Sequence, residues 1–193
     1  MAMVIAQRMS LEEFARLPEQ KPGLEFVDGE VVEKVAPDSH HGVIQMALGF
    51  QIGDLADHVV FSEMRFTFGE PPRAYLPDVA IVDLDRIALE ADGSMARRQN
   101  IAPDVAIEIL SPDDRAGHVV DKLNFYMAHG VRLAIVIDDE KKQATVYRPG
   151  DQPTSVASPA SIDLAPIAPG LAIDLGAIFS RVKPKRRPSR PVS

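Results

Sequence analysis

The 193-residue chain is long enough to bury a core within one domain, and its 46% hydrophobic content is ordinary for a globular protein. It contains no cysteine, which excludes disulfide scaffolds, thiolate metal sites and a cysteine nucleophile. Its formal charge of −7 is uneven: the last thirteen residues hold six Lys or Arg and no acid, so the body is more acidic still and ill suited to tight, non-specific DNA binding.

Met1 to Ser10 has no apolar run of signal-peptide length, and no stretch approaches a membrane span. The expectation is a soluble, cytoplasmic protein: one domain over residues 1–180 and a disordered basic tail over 181–193.

Ser10-Leu11-Glu12-Glu13 is a capping-box pattern and predicts a short helix to Leu17, stopped by Pro18. Leu24 to Glu33 reads as a hairpin turning at Asp28-Gly29. His41 to Asp57 carries Ile44, Ala47, Leu48, Ile52 and Leu55 at helical spacing, behind caps offered by Pro37-Asp38-Ser39. Val59 to Phe68 and Tyr75 to Leu84 read as strands, separated by the breaker Gly69-Glu70-Pro71-Pro72. Asp85 to Asn100 is polar and reads as a loop with one short helix. Val105 to Leu110 is a strand, and Ser111-Pro112-Asp113-Asp114 caps a helix ending at His129-Gly130. Leu133 to Ile137 is a strand buried on both faces, Gln143 to Arg148 is half-buried, and Pro149 to Gly170 reads as loop. Leu171 to Phe179 returns to the body. The whole is an α/β domain with a mixed sheet.

The chemistry concentrates on the strand Val105 to Leu110, whose Glu108 is an acid inside an apolar run. A buried carboxylate needs a cation, a proton or a function. Alternation puts Ala106, Glu108 and Leu110 on one face. Asp104 shares that face, but four residues separate it from Glu108 by about 13 Å, too far for one metal ion to hold both. The pentapeptide Pro-Asp-Val-Ala-Ile that opens the strand also stands at Pro77 to Ile81, so Asp78 is the natural partner for Glu108 around a divalent metal. Asp104 then reads as structural. If such a metal acted on a phosphate, a further cation would be needed nearby. Two residues past Glu108 that slot holds Leu110, and Lys122 on the next helix, set among Val119, Val120, Leu123 and Tyr126, can supply the charge.

The pieces Ser10 to Phe14, Leu24 to Glu30, the His41 helix, Leu76 to Val82, Pro103 to Pro112, and Asp121 to Tyr126 with Gly130-Val131 together resemble the Uma2 family, within the PD-(D/E)XK nuclease superfamily. The order and spacing of the pieces carry the resemblance, over roughly residues 9–150. One departure is Arg132-Leu133-Ala134, where such sequences usually show an aromatic pair.

The resemblance implies a restriction-endonuclease-like mixed β-sheet flanked by helices, and a Mg²⁺ (or Mn²⁺) site held by Asp78 and Glu108. It implies that Lys122 replaces the missing strand lysine and that Glu25 joins the site. The expected activity is hydrolysis of DNA phosphodiester bonds. A homodimer is the simplest arrangement for cutting both strands. Bland readings compete: Glu108 and Lys122 as a structural ion pair, Lys122 as a snorkelling surface lysine, Glu25 as a solvated hairpin residue, His40 and His41 as capping or surface residues, and Arg97-Arg98 as a solvated loop. The alternative functions are a non-catalytic nucleic-acid-binding or assembly protein that keeps the fold, and a phosphohydrolase of small nucleotides.

Overall fold

The computed structural model describes residues 4–5, 8–53 and 55–183. Most of the basic tail, residues 184–193, lies outside them. The chain builds a six-stranded mixed sheet from β4 (His58–Ser62), β7 (Val79–Asp83), β8 (Val105–Ile109), β9 (Leu133–Asp138), β10 (Gln143–Tyr147) and β11 (Thr154–Ala157). The spatial order is β11-β10-β9-β8-β7-β4, and only the β8–β9 pair is parallel. That pair needs a crossover, which α3 (Ala116–Ala128) provides.

Side chains alternate across the central strands, so both faces are buried. Val105, Ile107 and Ile109 face one core with α2 (Ser39–Ile52) and α4 (Leu175–Arg181). Ala106, Ala134 and Val136 face the other, with Leu123, Phe125 and Tyr126 of α3. β9 is buried at every position, as its unbroken apolar run requires.

A second sheet, ordered β1-β3-β2-β6-β5, flanks the α3 side. It contains β1 (Val4–Ile5), β2 (Leu24–Val27), β3 (Glu30–Glu33), β5 (Phe66–Phe68) and β6 (Arg73–Tyr75). The short helix α1 (Leu11–Ala15) covers its outer face through Phe14, which meets Phe26 at 5.3 Å between ring centroids. The predicted capping box is present: Ser10 accepts from the Glu13 amide, and the Glu13 carboxylate accepts from the Ser10 amide.

The structure corrects several element boundaries. Val59 to Phe68 is two strands, because Glu63 takes a left-handed turn (φ 49°) that carries the chain from the large sheet to the small one. Tyr75 to Leu84 likewise splits at Leu76-Pro77-Asp78, where the chain returns. α2 ends at Ile52, short of Asp57. Ser111 to Asp114 does not cap α3: the Ser111 amide donates to Asp114 in a separate turn, and α3 starts at Ala116 with no side-chain cap. The loop expected over 149–170 contains β11 and β12 (Ser161–Asp163), the latter paired with β13 (Ala172–Asp174). The polar stretch after β7 begins with one 3₁₀ turn, Leu84–Arg86.

Candidate active site

The site lies where the chain crosses from β6 of the small sheet to β7 of the large one. β7 and β8 run antiparallel with Val79 opposite Ile107, and one step further along that register places Asp78 opposite Glu108 on the α3 face. The Ile109 amide donates to Asp78 Oδ2 at 2.7 Å, which fixes the carboxylate against the neighbouring strand. Asp78 and Glu108 are both buried.

The crossing itself is clamped. The Leu76 amide donates to Glu25 Oε1 at 3.0 Å, and Lys34 Nζ donates to the Leu76 carbonyl at 2.8 Å. Gln45 donates to the Asp78 carbonyl at 2.8 Å. Glu25 and Lys34 come from the β2–β3 hairpin. Glu25 pairs with Val32, and Lys34 follows two residues later, so both project from the hairpin face turned toward Asp78.

Two cation–carboxylate groups result. Lys122 Nζ lies 2.8 Å from Glu25 Oε1 and 2.9 Å from Glu108 Oε1, while the Tyr126 hydroxyl donates to Glu108 Oε1 at 2.8 Å. The ammonium also stands 5.4 Å and 5.8 Å from the Tyr75 and Tyr126 ring centroids, within cation–π range. Lys122 is therefore a buried ion-pair residue, not a snorkelling one. Lys34 Nζ lies 2.7 Å from Asp78 Oδ1, and His41 Nε2 lies 3.2 Å from Oδ2.

Burial and charge pull these groups in opposite directions. Burial alone would raise Asp78, but Lys34 and His41 outweigh it and hold the carboxyl below the usual range. Burial pushes Glu108 up, and Lys122 only partly offsets it. Burial would lower the Lys122 and Lys34 ammoniums, yet their carboxylate partners win and both are raised. Burial, reinforced by the charge of Glu108, lifts the Tyr126 phenol well above its ordinary value, so it stays a neutral donor.

Glu25, Lys34, His41, Asp78, Glu108 and Lys122 form the floor of a cleft of about 410 Å³, lined also by Val27, Val32, Leu110 and Val119, with Arg8, Arg115 and His118 around it. A second cavity of about 280 Å³ shares Lys34, Val35, His41 and Asp78 with the first.

The sequence-derived residues Asp78, Glu108, Lys122 and Glu25 thus meet in one place. Asp104 does not: it is buried against Arg86 and Arg132 and accepts from the Asp83 amide at 2.9 Å, as a structural acid would. Arg97 and Arg98 are outside the cleft lining, and Arg98 donates to the Ala15 carbonyl. His40 is on the surface beside Asp139. His41 is not a surface or capping residue; its ring is buried against Asp78, and its Nδ1 has no hydrogen-bond partner. Lys34 is the residue that sequence reasoning missed. It continues the cleft-lining row Glu30, Val32 of β3, a pattern that does not name its partner.

The fold is shared with known proteins. The family model described as "Uma2: Putative restriction endonuclease" matches residues 11–176. The chain belongs to the Uma2 family. A solved structure similar to it is a 1.96 Å crystal structure of a "putative nuclease belonging to DUF820 from Anabaena variabilis ATCC 29413", 30% identical, with a TM-score of 0.82 over 90% of this chain and 99% of the other. No curated protein matches. Family and fold therefore point to a restriction-endonuclease-like nuclease. The Uma2 match runs from the start of α1 to the first residues of α4, so every residue of the cleft floor falls inside it.

The donor set has the character of a hard-cation site. Among the described residues, no group of three or more His, Asp or Glu side chains is arranged as a complete protein-held metal cage. Mg²⁺ does not require one, because it commonly uses one or two carboxylates and fills its shell with water and substrate phosphate. Asp78 and Glu108, neighbours across two strands at the floor of a cleft, fit that pattern. No helix among the described residues is long and apolar enough to cross a membrane.

Proposed function

We propose that this Uma2 protein is a divalent-metal-dependent endonuclease acting on DNA phosphodiester bonds. The observation that carries the reading is the register that sets Asp78 beside Glu108, with Lys122 2.9 Å from Glu108, on the floor of an open cleft. Asp78 and Glu108 would hold Mg²⁺ or Mn²⁺; bound there, the ion supplies an acidified water and positive charge against the phosphate.

The chain's own groups have separate tasks. Lys122 keeps its proton, so it is a permanent positive charge that orients the attacking water or faces charge building on the phosphate, and not a base. Glu25 holds Lys122 from the far side and fixes the Leu76 amide, which sets the position of Asp78 two residues on. Tyr126 fixes the Glu108 carboxylate by donating to Oε1. Arg8, Arg115 and His118 around the cleft offer contacts to flanking phosphates.

The test is plasmid nicking by the full chain in Mg²⁺ or Mn²⁺, compared with EDTA and with Glu108→Gln. Metal-dependent nicking lost by about 10²-fold or more in the variant is expected for a group that serves the transition state. Equal nicking by wild type and variant would remove the assignment.

One observation favours a second reading. Lys34 and Lys122 already neutralise Asp78 and Glu108, as in a non-catalytic protein that keeps the fold and binds nucleic acid. Such a protein would bind DNA without cutting it and would take up no Mn²⁺ at millimolar concentration.

A further inference from the structure

Asp78 has both carboxylate oxygens engaged, but by unlike groups. Oδ2 accepts from the Ile109 amide at 2.7 Å and contacts His41 Nε2 at 3.2 Å. Both of these are fixed, one in the backbone of β8 and the other on the first turn of α2. Oδ1 accepts from Lys34 Nζ at 2.7 Å, and Lys34 is the one group of the three on a flexible four-carbon stem. It also donates to the Leu76 carbonyl at 2.8 Å, a bond it must give up on leaving, but its side chain retains 18% exposure against 3% for Asp78, and it lines both cavities, so it has space to move into. Lys122 is different. Two carboxylates and two aromatic rings hold it.

We infer that Lys34 is a resident counter-ion that closes Asp78 in the metal-free protein and must leave Oδ1 for a divalent cation to bind. The inference rests on Asp78 being a metal ligand. With Lys34 in place, an approaching cation meets a neutralised pair. Only the fraction of molecules with Lys34 swung away is competent, and the apparent affinity falls by that fraction. Departure also leaves the Lys34 ammonium as an unpaired positive charge in the cleft it lines.

The experiment is calorimetric titration of Mn²⁺ into metal-free full-length protein, comparing wild type, Lys34→Met and Asp78→Asn. Lys34→Met, of similar length and no charge, is expected to lower the apparent Kd by about tenfold, as removal of a ninety-per-cent-closed state would. A Kd equal to or weaker than wild type overturns the inference. Asp78→Asn separates the two claims. Loss of binding there with no gain in Lys34→Met sinks Lys34 alone, whereas undiminished binding in Asp78→Asn, or no binding by any of the three proteins, sinks the metal reading as well. A second measurement needs no variant. Acetylation of Lys34 in the wild type, followed by mass spectrometry against the exposed Lys141 as reference, should quicken several-fold when Mn²⁺ is added; an unchanged ratio overturns the inference even if Lys34→Met fails to fold.

Discussion

Removing the Lys122 ammonium would leave Glu25 and Glu108 facing one another in a space that both side chains expose by only 10%. Breaking a buried pair from one side costs about 3–5 kcal/mol, so Lys122→Met should lose stability of that order in urea unfolding at neutral pH. Glu108→Gln in the same chain should recover part of it, because it removes one of the stranded charges. If the double variant is no more stable than the single, the charges are not coupled as drawn. Asp104→Asn tests the other acid. It keeps the contact with the Asp83 amide but weakens the pairs with Arg86 and Arg132, and should cost about 1–3 kcal/mol while leaving Mn²⁺ binding unchanged. Residue by residue, the sequence pointed to Asp78 and Glu108 because acids in apolar strands demand a reason. Strand spacing set Asp104 too far from Glu108 to share a metal, yet nothing in the identical pentapeptides around Asp78 and Asp104 shows what each acid pairs with. What separates them is which basic residues arrive by folding: Lys34 and His41 at one, Arg86 and Arg132 at the other. Lys34 is 44 positions from Asp78, and no local pattern announces a pairing made by sheet packing.

The elements hold the site through close packing at a few points. Gly69 turns β5 into β6 with φ +90°, and a Cβ there would run into the Phe125 ring of α3. Gly69→Ala should therefore destabilise by about 1–3 kcal/mol, the combined effect of a left-handed backbone and overpacking. It should also weaken metal-dependent cleavage, since Phe125 lies in the same helix as Lys122 and Tyr126. Full stability in thermal melts would show that the small sheet can shift away freely. At the N-terminal end of α2, His40 contacts Asp139, which also pairs with Lys142. Burial would raise Asp139, but the Lys142 and His40 contacts outweigh it and lower its pKa. A carboxyl lowered on folding contributes stability that is present above its unfolded value of about 3.9 and is lost as pH falls through its lower folded value. Asp139→Asn should thus cost up to about 1 kcal/mol at neutral pH, and the gap between the two proteins should close in acid. A gap that persists at the lowest pH would assign the effect to packing. α1, α2, the hairpin, β8 and β9 were legible from periodicity and caps, and α3 from its apolar stripe and Gly130 stop, whereas its expected N-terminal cap is absent and α4 was not read as a helix. The two strand splits were not legible, because apolar alternation continues across the bend while the hydrogen-bonding partner changes. The sign of the first split is a left-handed Glu63, which sequence does not display.

At the scale of the molecule, a two-faced sheet brings four distant segments to one seam: the hairpin with Glu25 and Lys34, the first turn of α2 with His41, the β7–β8 pair with Asp78 and Glu108, and α3 with Lys122. The match to Uma2 over residues 11–176 covers all four. The acidic body argues against a surface that binds DNA by charge alone, and under the proposed function a cation would have to enter the cleft before a polyanion. The central claim is that Asp78 and Glu108 share one divalent ion. The most direct measurement is an anomalous difference map from crystals of the full chain grown with Mn²⁺, recorded at the manganese edge. The prediction is a peak between the two carboxylates at bonded distance, about 2.1 Å from an oxygen of each, with Lys34 turned away from Asp78. A map without that peak at millimolar Mn²⁺, with Lys34 still on Asp78 and Lys122 still on Glu108, would contradict it.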